Sequence, residues 1–229
     1  MIKLIAFDLD GTLTQHRTLI NDDNLKLLGQ LKEKYHLVMV GAGDSKRIYE
    51  QLRHFNIDIL GNYGMQESTT INNQFKLIRE DKVEVDKDFF IKNIEYLREK
   101  YGYTNYKGES IEFHESGMIT FPLLGKNADI KDKIVFDPDR NKRRVLYPEV
   151  LEIFENYSVY IGGSSSFDFT RKEYNKYDAL MKYASKFNYK KDEILYIGDD
   201  FDDGGGDSHI RINNMKYIKI EDYLKIKIS

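Results

Sequence analysis

The strongest constraint on this chain lies at its start. A short apolar run, Ile2 to Phe7, stops in two carboxylates one residue apart, Asp8-Leu9-Asp10-Gly11-Thr12-Leu13-Thr14. The run has the length and the β-branched and aromatic members of a buried parallel strand. Acids that end such a strand sit at its carboxyl end, where open α/β sheets bind their ligands. Asp8 and Asp10 share an alternation phase, and the chain must turn at Gly11, so both side chains can converge on one place. Close carboxylates repel unless a proton or a cation lies between them. A hard divalent cation such as Mg2+ suits these oxygen donors. One carboxylate is then available to attack an electrophile and the other to pass a proton.

Further along, the spacing predicts a helix from Asn21-Asp22-Asp23 to about Tyr35 and a second buried strand over Leu37–Val40. A small-residue turn follows, Gly41-Ala42-Gly43-Asp44-Ser45, and opens a helix through Ile48 and Leu52. Strand, small turn and helix start present backbone N–H groups to an anion. A third strand, Ile57 to Leu60, completes a βαβαβ pattern. From about Lys82 the pattern changes to a helix ending at Tyr101, two strands around Gly117 and a helix after Tyr147-Pro148-Glu149 with Pro in its first turn. Strands at 158–161 and 166–169 follow. The core pattern resumes with a helix from Lys176, then a strand, Glu193 to Ile197, that ends in a second acidic loop, Gly198-Asp199-Asp200 through Asp207. Two acid-tipped strands from opposite ends of the chain can meet as neighbours and build one oxygen-rich cation site. The expected architecture is α/β, a Rossmann-like doubly wound parallel-sheet core (residues 1–82 and 171–229) with an inserted α+β cap (residues 83–170).

Composition narrows the function classes. Of 229 residues, 41% are hydrophobic and 32% charged, which argues against disorder. A net charge of −3 offers no general attraction for nucleic acid. The absence of cysteine removes disulfides, thiol nucleophiles and Cys-based metal sites. No apolar run approaches the ~20 residues that span a bilayer. The expectation is a cytoplasmic protein with no membrane and no nucleic-acid partner.

The motif order, DxDGT after a strand, a small turn after the second strand, a Lys, then GD…D after a late strand, resembles the haloacid dehalogenase-like superfamily. Within it the chain is similar to the eukaryotic-type phosphomannomutases. That likeness includes Arg17, Ile111-Glu112-Phe113 with Gly117-Met118, Pro122-Leu123-Leu124-Gly125-Lys126 and Gly162-Gly163-Ser164-Ser165-Ser166-Phe167-Asp168. It also includes Gly198-Asp199 with Gly204-Gly205-Gly206-Asp207. The resemblance implies that Asp8 takes a phosphoryl group, that Asp10 acts as general acid and base, and that Lys176 stabilises the aspartyl-phosphate. It implies Mg2+ held by Asp8, the Asp10 carbonyl and Asp199, with Asp207 supporting the metal loop. Arg17, His114, Lys126, Lys133, Ser166 and Asp168 are the implied contacts to a sugar phosphate. The relatives are often dimers through the cap, which leaves a cap-mediated homodimer open for this chain.

Several positions depart from the family. Its serine in the small turn is Gly43, so backbone N–H groups or Ser45 must replace that hydroxyl. Three of its cap arginines fall on His114, Lys126 and Lys133, and the Asp before the motif lysine is Asn175. Lysine binds phosphate as a point charge without a planar fork. A mutase must clamp a second phosphate while its bisphosphate intermediate turns over, whereas a phosphatase need only release product. The leading expectation is a hexose-phosphate mutase, with a sugar-phosphate phosphatase as the alternative. A non-catalytic sugar-phosphate binder is a third reading, disfavoured by the intact set of Asp8, Asp10, Lys176 and Asp199.

Overall fold

The structure is a computed structural model that describes residues 1–223. Its contacts divide the chain into two compact units, Met1–Asp81 with Tyr174–Ser229, and Lys82–Glu173. The first unit begins with β1 (Leu4–Phe7), α1 (Asp22–Lys32), β2 (His36–Val40), α2 (Ser45–Gln51) and β3 (Asp58–Gly61), then β4 (Gln66–Ile71) and β5 (Gln74–Glu80). The second unit contains α3 (Lys87–Tyr101), β6 (Glu112–Phe113), β7 (Ile119–Pro122), α4 (Ile130–Phe136), α5 (Asn141–Ile153), β8 (Tyr157–Tyr160) and β9 (Ser166–Arg171). The chain returns to the first unit through α6 (Lys176–Ser185), β10 (Ile194–Gly198), α7 (Ser208–Ile212), β11 (Tyr217–Lys219) and α8 (Ile220–Tyr223).

The first unit is a seven-stranded sheet in the order β11-β10-β1-β2-β3-β4-β5. β1 is an interior strand, parallel to both β10 and β2. All four of its residues are buried, as a strand covered on both faces demands. Its side chains alternate between two cores. Ile5 and Phe7 join Leu28, Leu31, Ile48 and Leu52 from α1 and the α2 region, while Leu4 and Ala6 join Leu180, Tyr183 and Ile210 from α6 and α7. The chain leaves β1 toward β2 on one side and comes back to it as β10 on the other. The carboxyl end of β1 is therefore the point where the winding direction reverses, and it is there that Asp8 stands.

The doubly wound core is present, with one addition the sequence reading did not contain. β4 and β5 form an antiparallel hairpin at the sheet edge. Its turn residues Asn72 and Asn73 both have positive φ, 51° and 58°, the conformation of a two-residue hairpin turn that follows the strand twist. The strands themselves are polar, because an edge hairpin has little core to face.

In the second unit an antiparallel sheet, β6-β7-β9-β8, packs one face on α3 and α5. Phe90, Ile94, Phe121, Leu146, Val150, Phe154, Phe167 and Phe169 fill the space between them. The period of two then directs Ser166 and Asp168 of β9, and Thr120 of β7, to the other face, and Thr120 stands directly opposite Asp168.

The proline expectation is corrected. α5 starts at Asn141, so Pro148 lies in its interior and not in its first turn. The early start has a cause in Asp137, whose carboxylate accepts from the N–H groups of Lys142 and Arg143 at 2.9 and 3.1 Å. These are donors that no helical carbonyl could satisfy. Arg143 is itself buried and returns Nε to Asp137 at 2.8 Å, while its Nη1 donates to the Gly162 carbonyl at 2.7 Å. Pro148 costs this helix one bond.

Arg98 of α3 is buried without a carboxylate partner among the described residues. It spends its guanidinium on the Ser110 hydroxyl and on the carbonyls of Tyr103, Leu123, Ser110 and Pro122, at 2.7 to 3.1 Å. Burial pushes it down to about 10, with Tyr106 opposing. Arg98→Met should cost about 3 kcal/mol, because it leaves buried carbonyls without donors. Urea unfolding of the variant beside Arg98→Lys checks this: the lysine should recover only a small part, having no fork.

Candidate active site

The site grows from the carboxyl ends of β1 and β10, which run side by side with Phe7 opposite Ile197. The Asp8 N–H donates to the Ile197 carbonyl at 2.9 Å, which carries the pairing up to Asp8 itself. Gly11 then turns with φ at +96°, and a Cβ there would meet the Asp199 carboxylate at 2.5 Å. Only glycine lets the loop after β1 pass this close to the loop after β10. Thr12, next in line, donates its hydroxyl to Asp199 Oδ1 at 2.9 Å and lies 3.4 Å from Asp8 Oδ2. One threonine thus ties the two acidic loops together.

Lys176, the first residue of α6, points into this cluster and is 3% exposed. Its Nζ donates to Asp8 Oδ1 and Asp207 Oδ1, both at 2.7 Å. Asn175, where the family carries Asp, caps the helix by accepting from the Asp178 N–H at 2.9 Å. Asp207 is fully occupied. It also accepts from the Tyr196 hydroxyl at 2.7 Å and from the N–H groups of Asp199 and Asp200 at 3.2 and 3.0 Å.

Charge is unevenly matched here. Burial pushes the Asp8 carboxyl well above its usual range, and the Lys176 ammonium only partly offsets this. Burial and neighbouring Asp207 push Asp199 up as well. Burial works against both Lys176 and Asp207 too, yet their mutual attraction wins, holding the ammonium above its ordinary value and the Asp207 carboxyl below. Oxygens of Asp8, Asp199 and Asp207 lie within 4.8 Å of one another. This all-oxygen set, with more carboxylates than cations, fits Mg2+. Asp207 is spent on Lys176, Tyr196 and the backbone, so Asp8 and Asp199 are the side chains with oxygens to give.

The Asp10 carboxylate is not in that set. It faces Arg47 and Gln51 of α2: Arg47 Nη1 donates to Oδ2 and Gln51 Nε2 to Oδ1, each at 3.0 Å. The Arg17 main-chain N–H adds a bond to Oδ1 at 2.8 Å, from a residue with φ of +57°. Burial opposes ionisation of Asp10, but Arg47, Gln51 and the Arg17 N–H together hold it below the usual carboxylate range.

Of the residues singled out in the sequence, Asp8, Asp10, Lys176, Asp199 and Asp207 come together in the first unit, and Arg17 joins them through its main chain. In the second unit Ser166, Asp168 and His114 share a neighbourhood around Thr120. The Thr120 hydroxyl donates to Asp168 Oδ1 at 2.8 Å and lies 3.1 Å from His114 Nε2, and Ser166 donates to the Gly162 carbonyl at 3.1 Å. Lys126 pairs with Glu109 and Glu112 at 3.1 and 3.4 Å, and Lys133 donates to the Lys126 carbonyl at 2.8 Å.

Ser45 does not replace the missing hydroxyl of position 43. It is buried with its Oγ unpartnered and packs where a Gly61 side chain would stand. Arg47, Gln51 and Tyr196 were absent from the sequence reading. Arg47 and Gln51 are one helical turn apart, a face-sharing interval that could have marked them. Tyr196 carries no signal beyond its apolar strand.

A model of the haloacid dehalogenase-like hydrolases matches residues 5–204. The phosphomannomutase of Spinacia oleracea is 29% identical over 221 residues, covering 90% of this chain and 85% of that protein. The phosphomannomutase of Saccharomyces cerevisiae is 27% identical over 224 residues, covering 92% and 85%. Among solved structures, a haloacid dehalogenase-like hydrolase from B. subtilis superposes with a TM-score of 0.64 at 15% identity, over 99% of this chain and 93% of that one. An IMP-bound IMP-nucleotidase from Plasmodium falciparum gives 0.64 at 19%, over 96% and 64%. At such identities the structures speak for the fold alone, and the matched span carries the first acidic motif, the motif lysine and the start of the second acidic loop. With the doubly wound sheet and its acid-tipped neighbouring strands, these matches place the chain in the haloacid dehalogenase-like hydrolase family.

Proposed function

We propose that the chain is a Mg2+-dependent phosphoryl-transfer enzyme acting on a hexose phosphate through an aspartyl-phosphate, in the manner of a phosphomannomutase. The observation that carries this reading is Asp8, buried at the switch point of the sheet with Lys176 at 2.7 Å and Asp199 alongside. Asp8 attacks phosphorus as the bond to the sugar oxygen breaks, and Asp10, ionised at rest beside Arg47, first takes a proton from solvent and then passes it to the departing oxygen. A second sugar hydroxyl then gives its proton to Asp10 and takes the phosphoryl group from Asp8. Lys176 neutralises charge on the acyl phosphate, and Asp8 and Asp199 would hold Mg2+, which when bound would supply electrostatic stabilisation of phosphoryl transfer. Arg17, His114, Lys126, Lys133, Ser166 and Asp168 are the proposed substrate contacts. The likeness to phosphomannomutases along nine-tenths of the chain supports the mutase.

A second reading, a sugar-phosphate phosphatase, is favoured by Lys126, whose charge is already met by Glu109 and Glu112. The experiment follows mannose 1-phosphate and glucose 1-phosphate by phosphorus NMR with Mg2+, with and without the matching 1,6-bisphosphate. Hexose 6-phosphate, formed faster with bisphosphate, is the expected product. Inorganic phosphate alone would replace the mutase by the phosphatase, and no reaction on either sugar would overturn the substrate class.

A further inference from the structure

At Gly43, where β2 passes into α2, a Cβ would stand 1.7 Å from Nη2 of Arg47 and 2.8 Å from its Nε. Gly43 has no positive φ that would call for glycine. What the missing side chain provides is room. Arg47, one helical turn later, folds its guanidinium back over the Gly43 backbone into that room. Nη1 reaches Asp10 at 3.0 Å and also donates to Gln51 Oε1. Nε and Nη2 have no partner among the described residues, and the side chain keeps 32% of its surface exposed. β1 and β2 are parallel neighbours, so this bare donor edge belongs to the same end of the sheet as Asp8 and Asp10.

A guanidinium presents its N–H groups in a flat fork that matches two oxygens of a tetrahedral oxyanion. A strut for Asp10 would need only one nitrogen, and a lysine could serve. The use of glycine at 43 to seat a guanidinium leaves a second, unspent edge, with His16 and Arg17 close enough to share the field of Asp10. We propose that Gly43 and Arg47 act as one device: the absent side chain admits the guanidinium, whose Nη1 positions Asp10 and whose Nε–Nη2 edge binds the phosphoryl oxygens of the substrate. The device does the work of the hydroxyl that position 43 lacks and supplies an anion fork in the first unit. It rests on the phosphoryl-transfer reading above and adds the residue that grips the phosphoryl group.

The test is binding of inorganic phosphate to the full chain loaded with Mg2+, measured by calorimetry and by phosphorus line broadening, neither of which needs turnover. Arg47→Gln should weaken phosphate about ten- to a hundredfold, the loss of charge-assisted bonds, and Arg47→Lys should recover little of it. Gly43→Ala should weaken it too, because the methyl displaces a flexible side-chain end and leaves the backbone in place. The double variant should be no weaker than Arg47→Gln alone, since both changes remove one contact. A folded Arg47→Gln or Gly43→Ala protein that binds phosphate within about twofold of the parent overturns the proposal, as does a parent that binds none. If Arg47→Gln fails to fold, Gly43→Ala decides. Turnover of hexose phosphates is assayed separately. Arg47-dependent phosphate binding without any turnover keeps the device and removes the mutase, whereas turnover with Arg47-independent phosphate binding removes the device alone.

Discussion

Asp8→Asn should abolish turnover, by about ten-thousandfold or more, and at the same time raise the melting temperature of the metal-free protein. The first effect follows from chemistry, since an amide is no nucleophile toward phosphorus. The second follows from the charge balance around β1. Asp8, Asp199 and Asp207 are crowded within 4.8 Å, and one ammonium, Lys176, bonds only two of them. Burial holds Asp8 well above the ordinary carboxylate range, so keeping it ionised at neutral pH costs folding energy. Its folded value is raised, so its stability deficit is full above that value and fades as pH falls toward the unfolded value of 3.8. Replacing one buried charge by a neutral isostere should stabilise the protein by about 1–2 kcal/mol, read as several degrees. Scanning fluorimetry in EDTA and in Mg2+ separates the contributions. The parent should gain from Mg2+ by mass action and Asp8→Asn should gain less. Retained turnover, or a lower melting temperature in EDTA, would contradict the assignment of Asp8.

Lys176→Met should be the most damaging single change in the first unit. It removes the partner of two buried carboxylates at once, both at 2.7 Å. Breaking a buried ion pair from one side costs about 3–5 kcal/mol, because the remaining charge stays in place without compensation. Turnover should vanish with it, since the acyl phosphate would have no ammonium beside it. Adding Asp8→Asn to Lys176→Met should return more stability than Asp8→Asn adds to the parent, because the carboxylate it removes has by then lost its ammonium, a coupling beyond simple addition. Urea unfolding of the two single variants and the double variant measures this. Effects that simply add would contradict the contact between Asp8 and Lys176.

The core of the fold was readable because strands buried on both faces must be written as apolar runs. β1, β2, β3 and β10 are all of this kind; the last three lie within a residue of their expected places, and β1 starts two residues later than expected. The β4–β5 hairpin was not readable in the same way, since an edge strand such as Gln66–Ile71 carries few apolar side chains. Of the two strands expected around Gly117, β6 proved only two residues long. Its neighbours fix its length, and alternation alone does not. The start of α5 depended on Asp137, whose capping carboxylate lies outside the helix and before a proline that reads as a first-turn residue. At the site, acids at strand ends announced themselves by pattern. Arg47 and Gln51 did not, because their function arises only when α2 is laid beside the loop after β1. Ser45 was a reasonable substitute for the missing hydroxyl on sequence grounds, and packing against Gly61 removed it.

The pairing of Phe7 with Ile197 has a consequence for how the protein comes into being. Asp8 is synthesised 168 residues ahead of its ammonium partner Lys176, and the second acidic loop follows later still. Contacts of such sequence separation close slowly, after the loop entropy between them has been overcome. A nascent chain that has not yet emerged as far as Lys176 and Asp199 holds Asp8 without its ammonium partner, while Asp10 already has Arg47 within reach. The Asp8–Lys176 pair therefore closes only after the whole of the second unit, Lys82–Glu173, has been made. A ribosome-bound fragment ending at Glu173 carries Asp8 without Lys176 and should show no turnover.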